Sequence, residues 1–311
     1  MRAVSWGGRA AAADVVAALR AWERPGDCGW QLHAGDVGWH LRNDDDDVDG
    51  TLLLVRDDGS GALLAVGLLD GPAVVRLALD PDRLLDARLA LALADAVEDR
   101  LGRAGTAEAY VDGPVAAPWR AELARRGWAL DPDAWVHLWR PLGTADAGRA
   151  VPGVAPVSGP VDVADRVAVQ RSAFDGSSFT EARWARMTAS AAYDPRLDLL
   201  ARDEDGTAVA ALTAWTAGEG RCALVEPMAT AAGHTRKGHG RRLLDGAAAA
   251  LARTGASGVA VWTPASNGPA LAAYRSAGFS ALGIAAAMCS TAASTSSAQP
   301  QESVTPAPPW P

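Results

Sequence analysis

Apolar residues fall at helical and at strand spacing in alternation along this chain, and the same succession occurs twice. Residues 10–22 place Val15, Val16, Leu19 and Trp22 on one side, which predicts an amphipathic helix. Residues 51–56 and 62–69 read as strands around the turn Asp57-Asp58-Gly59-Ser60-Gly61. In the second half, residues 197–202 lead through Asp203-Glu204-Asp205-Gly206 into a strand over 208–215. Gly127-Trp128 then corresponds to Gly278-Phe279 at an offset of 151 residues. Residues 141–156 are rich in Gly, Pro and Ala and carry no period, so they separate two units. The expected units are 1–142 and 154–289, with a linker at 143–153 and a Ser/Thr/Ala/Pro-rich, disordered tail at 290–311.

Candidate chemistry concentrates in residues 225–251, where an apolar run gives way to a basic glycine loop and then to the helical pattern Leu243, Leu244, Ala247, Ala248, Leu251. Gly238 and Gly240 are interleaved with Arg236, Lys237, Arg241 and Arg242. Glycines let backbone N–H groups approach an anion, and a helix N-terminus adds partial positive charge. The loop is neither Gly-x4-Gly-Lys-Ser/Thr nor Gly-x-Gly-x-x-Gly, which excludes the two common nucleotide fingerprints. At the 151-residue offset the two glycines become Ala87 and Leu89, preceded by Asp86. The first copy thus keeps the pattern of the fold without the anion loop, and serves as scaffold or as one wall of a substrate cleft.

The stretch Thr235-Arg236-Lys237-Gly238-His239-Gly240 resembles the acyl-CoA-binding loop of the GNAT superfamily of N-acetyltransferases, Arg/Gln-x-x-Gly-x-Gly/Ala. Thr235 stands at the leading position, and Ala232 replaces an upstream proline common in that family. Asn267-Gly268-Pro269-Ala270 through Tyr274 to Gly278-Phe279 resembles the family's last segment, Asn-x-x-Ala-x-x-x-Tyr-x-x-x-Gly-Phe. The resemblance implies an α/β (α+β) fold with two tandem domains, each a mixed, mostly antiparallel sheet flanked by helices. The arrangement with one blank copy also resembles that of mycothiol synthases.

What the resemblance implies can be placed residue by residue. Acetyl-CoA is the expected cosubstrate and a small-molecule primary amine the expected acceptor. Backbone groups of Met228, Ala229 and Thr230 would meet the pantetheine arm and the thioester carbonyl. The loop Thr235, Arg236, Lys237, Gly238, His239, Gly240 and Arg241 would hold the pyrophosphate, with His239 facing solvent. Asn267 would bond the pantetheine arm or cap the following helix. Tyr274 matches the family tyrosine that protonates the departing thiolate; its first-copy counterpart is Leu123, which cannot donate. Glu226, on the same strand as Met228, is the candidate base, acting directly or through water, or else a substrate-positioning or ion-pairing carboxylate. In such folds the helix pair around Phe174, Phe179 and Tyr193 covers the acceptor side, lining an aromatic pocket or packing a core.

Composition narrows the alternatives. A formal net charge of −8 over 311 residues leaves the glycine loop as the dense basic patch, which argues against nucleic acid as a partner. Cys28, Cys222 and Cys289 are odd in number and far apart, which suggests free thiols in a reducing, cytoplasmic compartment. No apolar run reaches membrane length and no signal-peptide core is present at the N-terminus. Asp45-Asp46-Asp47-Val48-Asp49-Gly50 has Arg56 where a calcium loop needs a bidentate Glu, so it reads as a solvated loop or hairpin. No His/Cys grouping has metal-ligand spacing, and a monomer or homodimer without metal is expected. After Phe279 the pattern over residues 281–288 is weak, which leaves either a degenerate closing strand or a lost reading frame. The rival to an acetyltransferase is a non-catalytic acyl-CoA-binding regulatory module.

Overall fold

The computed structural model describes residues 2–24, 28 and 31–291; most of the expected tail, 292–311, lies outside these. The first half runs β1 (Arg2–Gly7), α1 (Ala12–Trp22), α2 (Ala34–His40), α3 (Asp45–Val48), β2 (Leu52–Asp57), β3 (Leu63–Leu69) and β4 (Val74–Leu79). It continues through α4 (Ala87–Ala104), β5 (Glu108–Asp112), α5 (Trp119–Arg125), β6 (Ala129–Leu130) and β7 (Trp135–Pro141). A short α6 (Thr144–Ala147) follows. The second half comprises β8 (Val154–Pro156), α7 (Gly159–Ala173), α8 (Glu181–Thr188), β9 (Asp198–Arg202), β10 (Ala208–Trp215) and β11 (Cys222–Thr230). It closes with α9 (His239–Arg253), β12 (Gly258–Pro264), α10 (Gly268–Ser276), β13 (Ser280–Ala285) and β14 (Met288–Thr291).

Among the described residues these strands form two seven-stranded sheets, ordered β1-β2-β3-β4-β5-β14-β6 and β13-β7-β12-β11-β10-β9-β8. Pairing is antiparallel except for β4 with β5 and β11 with β12. The fold is therefore the expected mixed α/β arrangement of two mostly antiparallel sheets flanked by helices. Leu89, Leu93 and Val97 of α4 pack on the first sheet, and Leu243, Leu244, Ala247 and Leu251 of α9 pack on the second. The two helices occupy corresponding places, as the repeat in the hydrophobic pattern requires.

The halves exchange their closing strands. β7, from the first half, lies between β12 and β13, with Leu138 opposite Val261 on one side and Ala281 on the other. β14, from the second half, lies between β5 and β6. The weak pattern after Phe279 thus conceals two short strands, and Met288 of β14 is buried in the core of the first sheet. A four-residue strand carries little periodicity of its own, and pairing on both sides supplies the missing definition.

Two further expectations are corrected. Cys28 and Cys222 form a disulfide across 194 residues, leaving Cys289 as the free thiol among the described residues. Sequence separation concealed that the segment before α2 crosses the start of β11. The acidic run begins the helical turn α3 instead of a hairpin or loop, because Val48 is fully buried and carboxylates favour a helix start.

Candidate active site

The site forms where β11 leaves β12. Their parallel ladder ends at Leu224 opposite Ala260, while Met228, Ala229 and Thr230 remain paired to β10 on the other side. A register shift on β10 between Leu212 and Ala214 faces Glu226 and Pro227, and Pro227 has no N–H to offer a ladder. One edge of β11 from Val225 onward is thereby opened into a cleft between parting strands. Ala229 is buried, whereas Met228 and Thr230 are half-buried along it.

The glycine loop closes one end of this cleft. Gly238 is the N-cap of α9 with φ 83°, a left-handed conformation that disfavours side chains. Gly240 needs its missing Cβ for a different reason: an atom there would lie 2.9 Å from Met228 Cε. Thr235, Arg236, Lys237 and Arg241 are exposed, and His239 is half-buried with its ring 6.1 Å from that of His234. Gly238, Arg241 and Arg242 border a cavity of about 340 Å³ together with Arg149 and Asp245. Asp245 is neutralised by Arg140 at 3.0 Å and Arg149 at 3.3 Å. Orphan N–H groups of a first helical turn and several guanidinium groups make this end of the cleft suited to an anion.

Asn267 caps α10, its Oδ1 accepting from Ala270 N at 3.1 Å. Tyr274 on α10 is buried against Phe279, with ring centroids 5.7 Å apart. Burial, with the charge of Glu226 second, holds the Tyr274 phenol above its ordinary value, so it remains protonated at neutral pH. The aromatic cluster of the helix pair is mainly packing: Phe179 is buried against Trp39 of the first half, with ring centroids 5.3 Å apart.

Sequence reasoning missed the groups that surround Glu226, because they come from the first half. The Asp36 carboxyl of α2 lies against the Glu226 side chain. Asp36 Oδ2 also accepts from His33 N at 2.6 Å, and Oδ1 pairs with Arg76 Nη1 at 2.8 Å. Arg76 Nη1 in turn lies 3.6 Å from Asp70 Oδ2. Burial, then the charge of Asp36 and its hydrogen bond, push Glu226 well above the usual carboxylate range. Burial acts on Asp36 in the same sense, but Arg76, the Glu226 hydrogen bond and the His33 N–H outweigh it and hold Asp36 low. When the pair holds a single proton, these shifts put it on Glu226 and the charge on Asp36. Burial also raises Asp70 to about 6, against the opposing charges of Arg76 and Arg42, and raises Asp112. The available signal was Arg76, a lone charge within the apolar strand Val74–Leu79.

Residues 167–279 match the acetyltransferase (GNAT) family. The match lies wholly within the second half of the chain. No curated protein matches the chain in sequence. Among solved structures, a GCN5-related N-acetyltransferase from Sphaerobacter thermophilus is 19% identical, with a TM-score of 0.57 over 93% of this chain and 95% of that one. A tandem GNAT protein from the clavulanic acid biosynthesis pathway is also 19% identical, with a TM-score of 0.55 over 93% of this chain and 98% of its own. Saccharomyces cerevisiae N-myristoyltransferase, solved with myristoyl-CoA, is 12% identical with a TM-score of 0.54, over 93% and 80% of the two chains. At these identities the likeness is one of fold, and it extends over both units.

The first half differs from the second at the same place. Its parallel ladder runs on to Arg76 opposite Asp112, three residues further than the ladder between β11 and β12. Beyond that point the chain fills its own gap: Leu32 N donates to Leu77 O at 3.2 Å, and Leu79 N donates to Gln31 Oε1 at 3.2 Å. At the 151-residue offset, Leu77 and Leu79 correspond to Met228 and Thr230. The backbone groups that stand open in the second unit are thus satisfied internally in the first. Among the described residues no grouping of His, Cys, Asp or Glu could hold a metal, and no helix is long and apolar enough to cross a membrane.

Proposed function

We propose that the chain transfers an acetyl group from acetyl-CoA to a primary amine of a small molecule, in the cleft between β11 and β12. The observation that carries this reading is the open edge of β11 between an anion-suited glycine loop and the half-buried Glu226 carboxyl and buried Tyr274 phenol. Backbone groups of Met228 to Thr230 hold the pantetheine arm and polarise the thioester, a contribution of about 2.7–4 kcal/mol for one well-placed donor. Residues 235–241 bind the pyrophosphate through N–H groups, with Arg236, Lys237 and Arg241 adding charge. Asn267 serves as the helix cap that presents α10.

Glu226, after losing its own proton, accepts one from the ammonium form of the acceptor, directly or through water. The freed amine attacks the thioester carbonyl carbon. As the C–S bond breaks, the Tyr274 O–H protonates the departing thiolate, and the proton that the nitrogen loses in becoming an amide returns to the phenolate, leaving an amide, CoA and the restored phenol. The carboxylates beside Glu226 favour a cationic acceptor over an anionic one. Residues 1–142 act as the half without cofactor, joined by 143–153 to the acyl-CoA-binding half 154–289. The likeness to mycothiol synthases concerns arrangement, and no residue pattern selects a pseudodisaccharide amine. Thiol release from acetyl-CoA, followed with a panel of amines, tests the reading. Saturable acetyl-CoA binding without release from any amine would assign a binding or regulatory module instead.

A further inference from the structure

α2 is seated on the second sheet by a series of contacts that converge on Glu226. Its two glycines face Trp215: a Cβ at Gly35 would lie 2.4 Å from Trp215 Cγ, and one at Gly38 would lie 2.4 Å from Cζ3. Trp215 is fully buried, and its indole N–H donates to the Glu226 carbonyl oxygen at 2.6 Å. Upstream of α2, the Cys28–Cys222 disulfide ties the same segment to the start of β11. His33 lies 3.4 Å from the Cys222 carbonyl through Nε2, and its Nδ1 accepts from Gly35 N at 2.9 Å. The His33 and Asp36 side chains thereby cap α2 reciprocally, which fixes where the Asp36 carboxylate points.

We propose that Asp36, supplied by the first half and oriented by its cap with His33 and its pair with Arg76, is a positioning residue for Glu226: a hydrogen bond from the Glu226 O–H to the Asp36 carboxylate holds the Glu226 carboxyl in one orientation at the mouth of the cleft. The half without a cofactor loop then contributes to proton transfer in the other half. The inference rests on the reading of Glu226 as the base. Groups facing Glu226 are Asp36 and Arg42 from α2 and its C-terminal side, Asp70 after β3, Arg76 on β4 and Tyr274 on α10. Asp112 of β5 faces Arg76 and Asp36. Arg76, 2.8 Å from Asp36, favours the charged form of Asp36, so a single proton on the pair is favoured on Glu226.

The sign of the effect follows. A carboxylate neighbour disfavours a second negative charge, so removing Asp36 lets Glu226 ionise at lower pH. The test is a carbon-13 carboxyl NMR titration of Glu226 in the full chain, assigned with Glu226→Gln, for wild type and Asp36→Asn. The Glu226 midpoint is expected to fall by about one pH unit or more in Asp36→Asn and to stay raised in Asp36→Glu. The acid limb of kcat/KM against pH should move with it. An Asp36→Asn midpoint equal to that of wild type overturns the proposal. Should Asp36→Asn fail to fold, Asp36→Ser is read in the same way. The titration needs no acyl donor: a shifted midpoint with no thiol release from any amine sinks the acetyltransferase reading and leaves the positioning role intact.

Discussion

Trp215 donates its indole N–H to the backbone carbonyl of Glu226 at 2.6 Å, from a side chain wholly buried beneath α2 of the other half. One tryptophan thus ties the strand carrying the candidate base to the surface on which the first unit rests. Small residues at 35 and 38 are a condition of that contact. Gly35→Ala is expected to destabilise the protein by about 1–3 kcal/mol, as overpacking of a filled core does. The same variant should reduce turnover by displacing Asp36. Chemical denaturation together with steady-state kinetics reads both effects, and an unchanged unfolding midpoint would argue that α2 is not pressed on Trp215.

Gly238→Asp puts a carboxylate and a side chain at a left-handed backbone position where an anion is proposed to sit. Calorimetry with CoA should give one site per wild-type chain and no measurable binding in the variant. A stoichiometry of two would contradict the self-filled gap at Leu77 and Leu79.

Tyr274→Phe keeps the buried ring and removes the proton donor. The expected outcome is an unchanged Kd for CoA and a fall in kcat of about 10²–10⁴-fold, the range for loss of a positioned general acid. Unchanged turnover would remove the acid role from Tyr274.

Much of this was legible in the chain. Gly238 and Gly240, set against Ala87 and Leu89, marked a place where the two halves differ in structure, and the repeated strand and helix pattern anticipated the two sheets. The strand exchange was hidden, because β7 has the same alternation whichever sheet receives it. Asp36 and Arg76 were hidden for a related reason. Periodicity reports which face of an element is buried, whereas their role depends on which other element covers that face. The fully buried Asp198 was likewise unseen: it accepts from Arg166 Nε at 3.1 Å, Thr213 Oγ1 at 3.0 Å and Trp184 Nε1 at 2.8 Å, drawing α7 and α8 onto the second sheet.

Stability should fall in mild acid. Burial lowers His40 and His137 each from 6.5 to about 4, so both fold in the neutral form. Their contribution is fully present above pH 6.5 and is lost as pH falls toward 4, because the unfolded chain binds the protons first. His40→Gln should flatten part of this dependence, checked by denaturation midpoints at pH 7 and pH 4.5. An equally steep dependence in the variant would remove His40 from the explanation.

The acyl-transfer account stands most directly on CoA thiol release from acetyl-CoA in the presence of primary amines, measured for wild type beside Gly238→Asp. Release by wild type that depends on the amine, rises with pH as Glu226 loses its proton and vanishes in Gly238→Asp is the predicted result. Release that persists in Gly238→Asp, or none from any amine despite saturable acetyl-CoA binding, would contradict it.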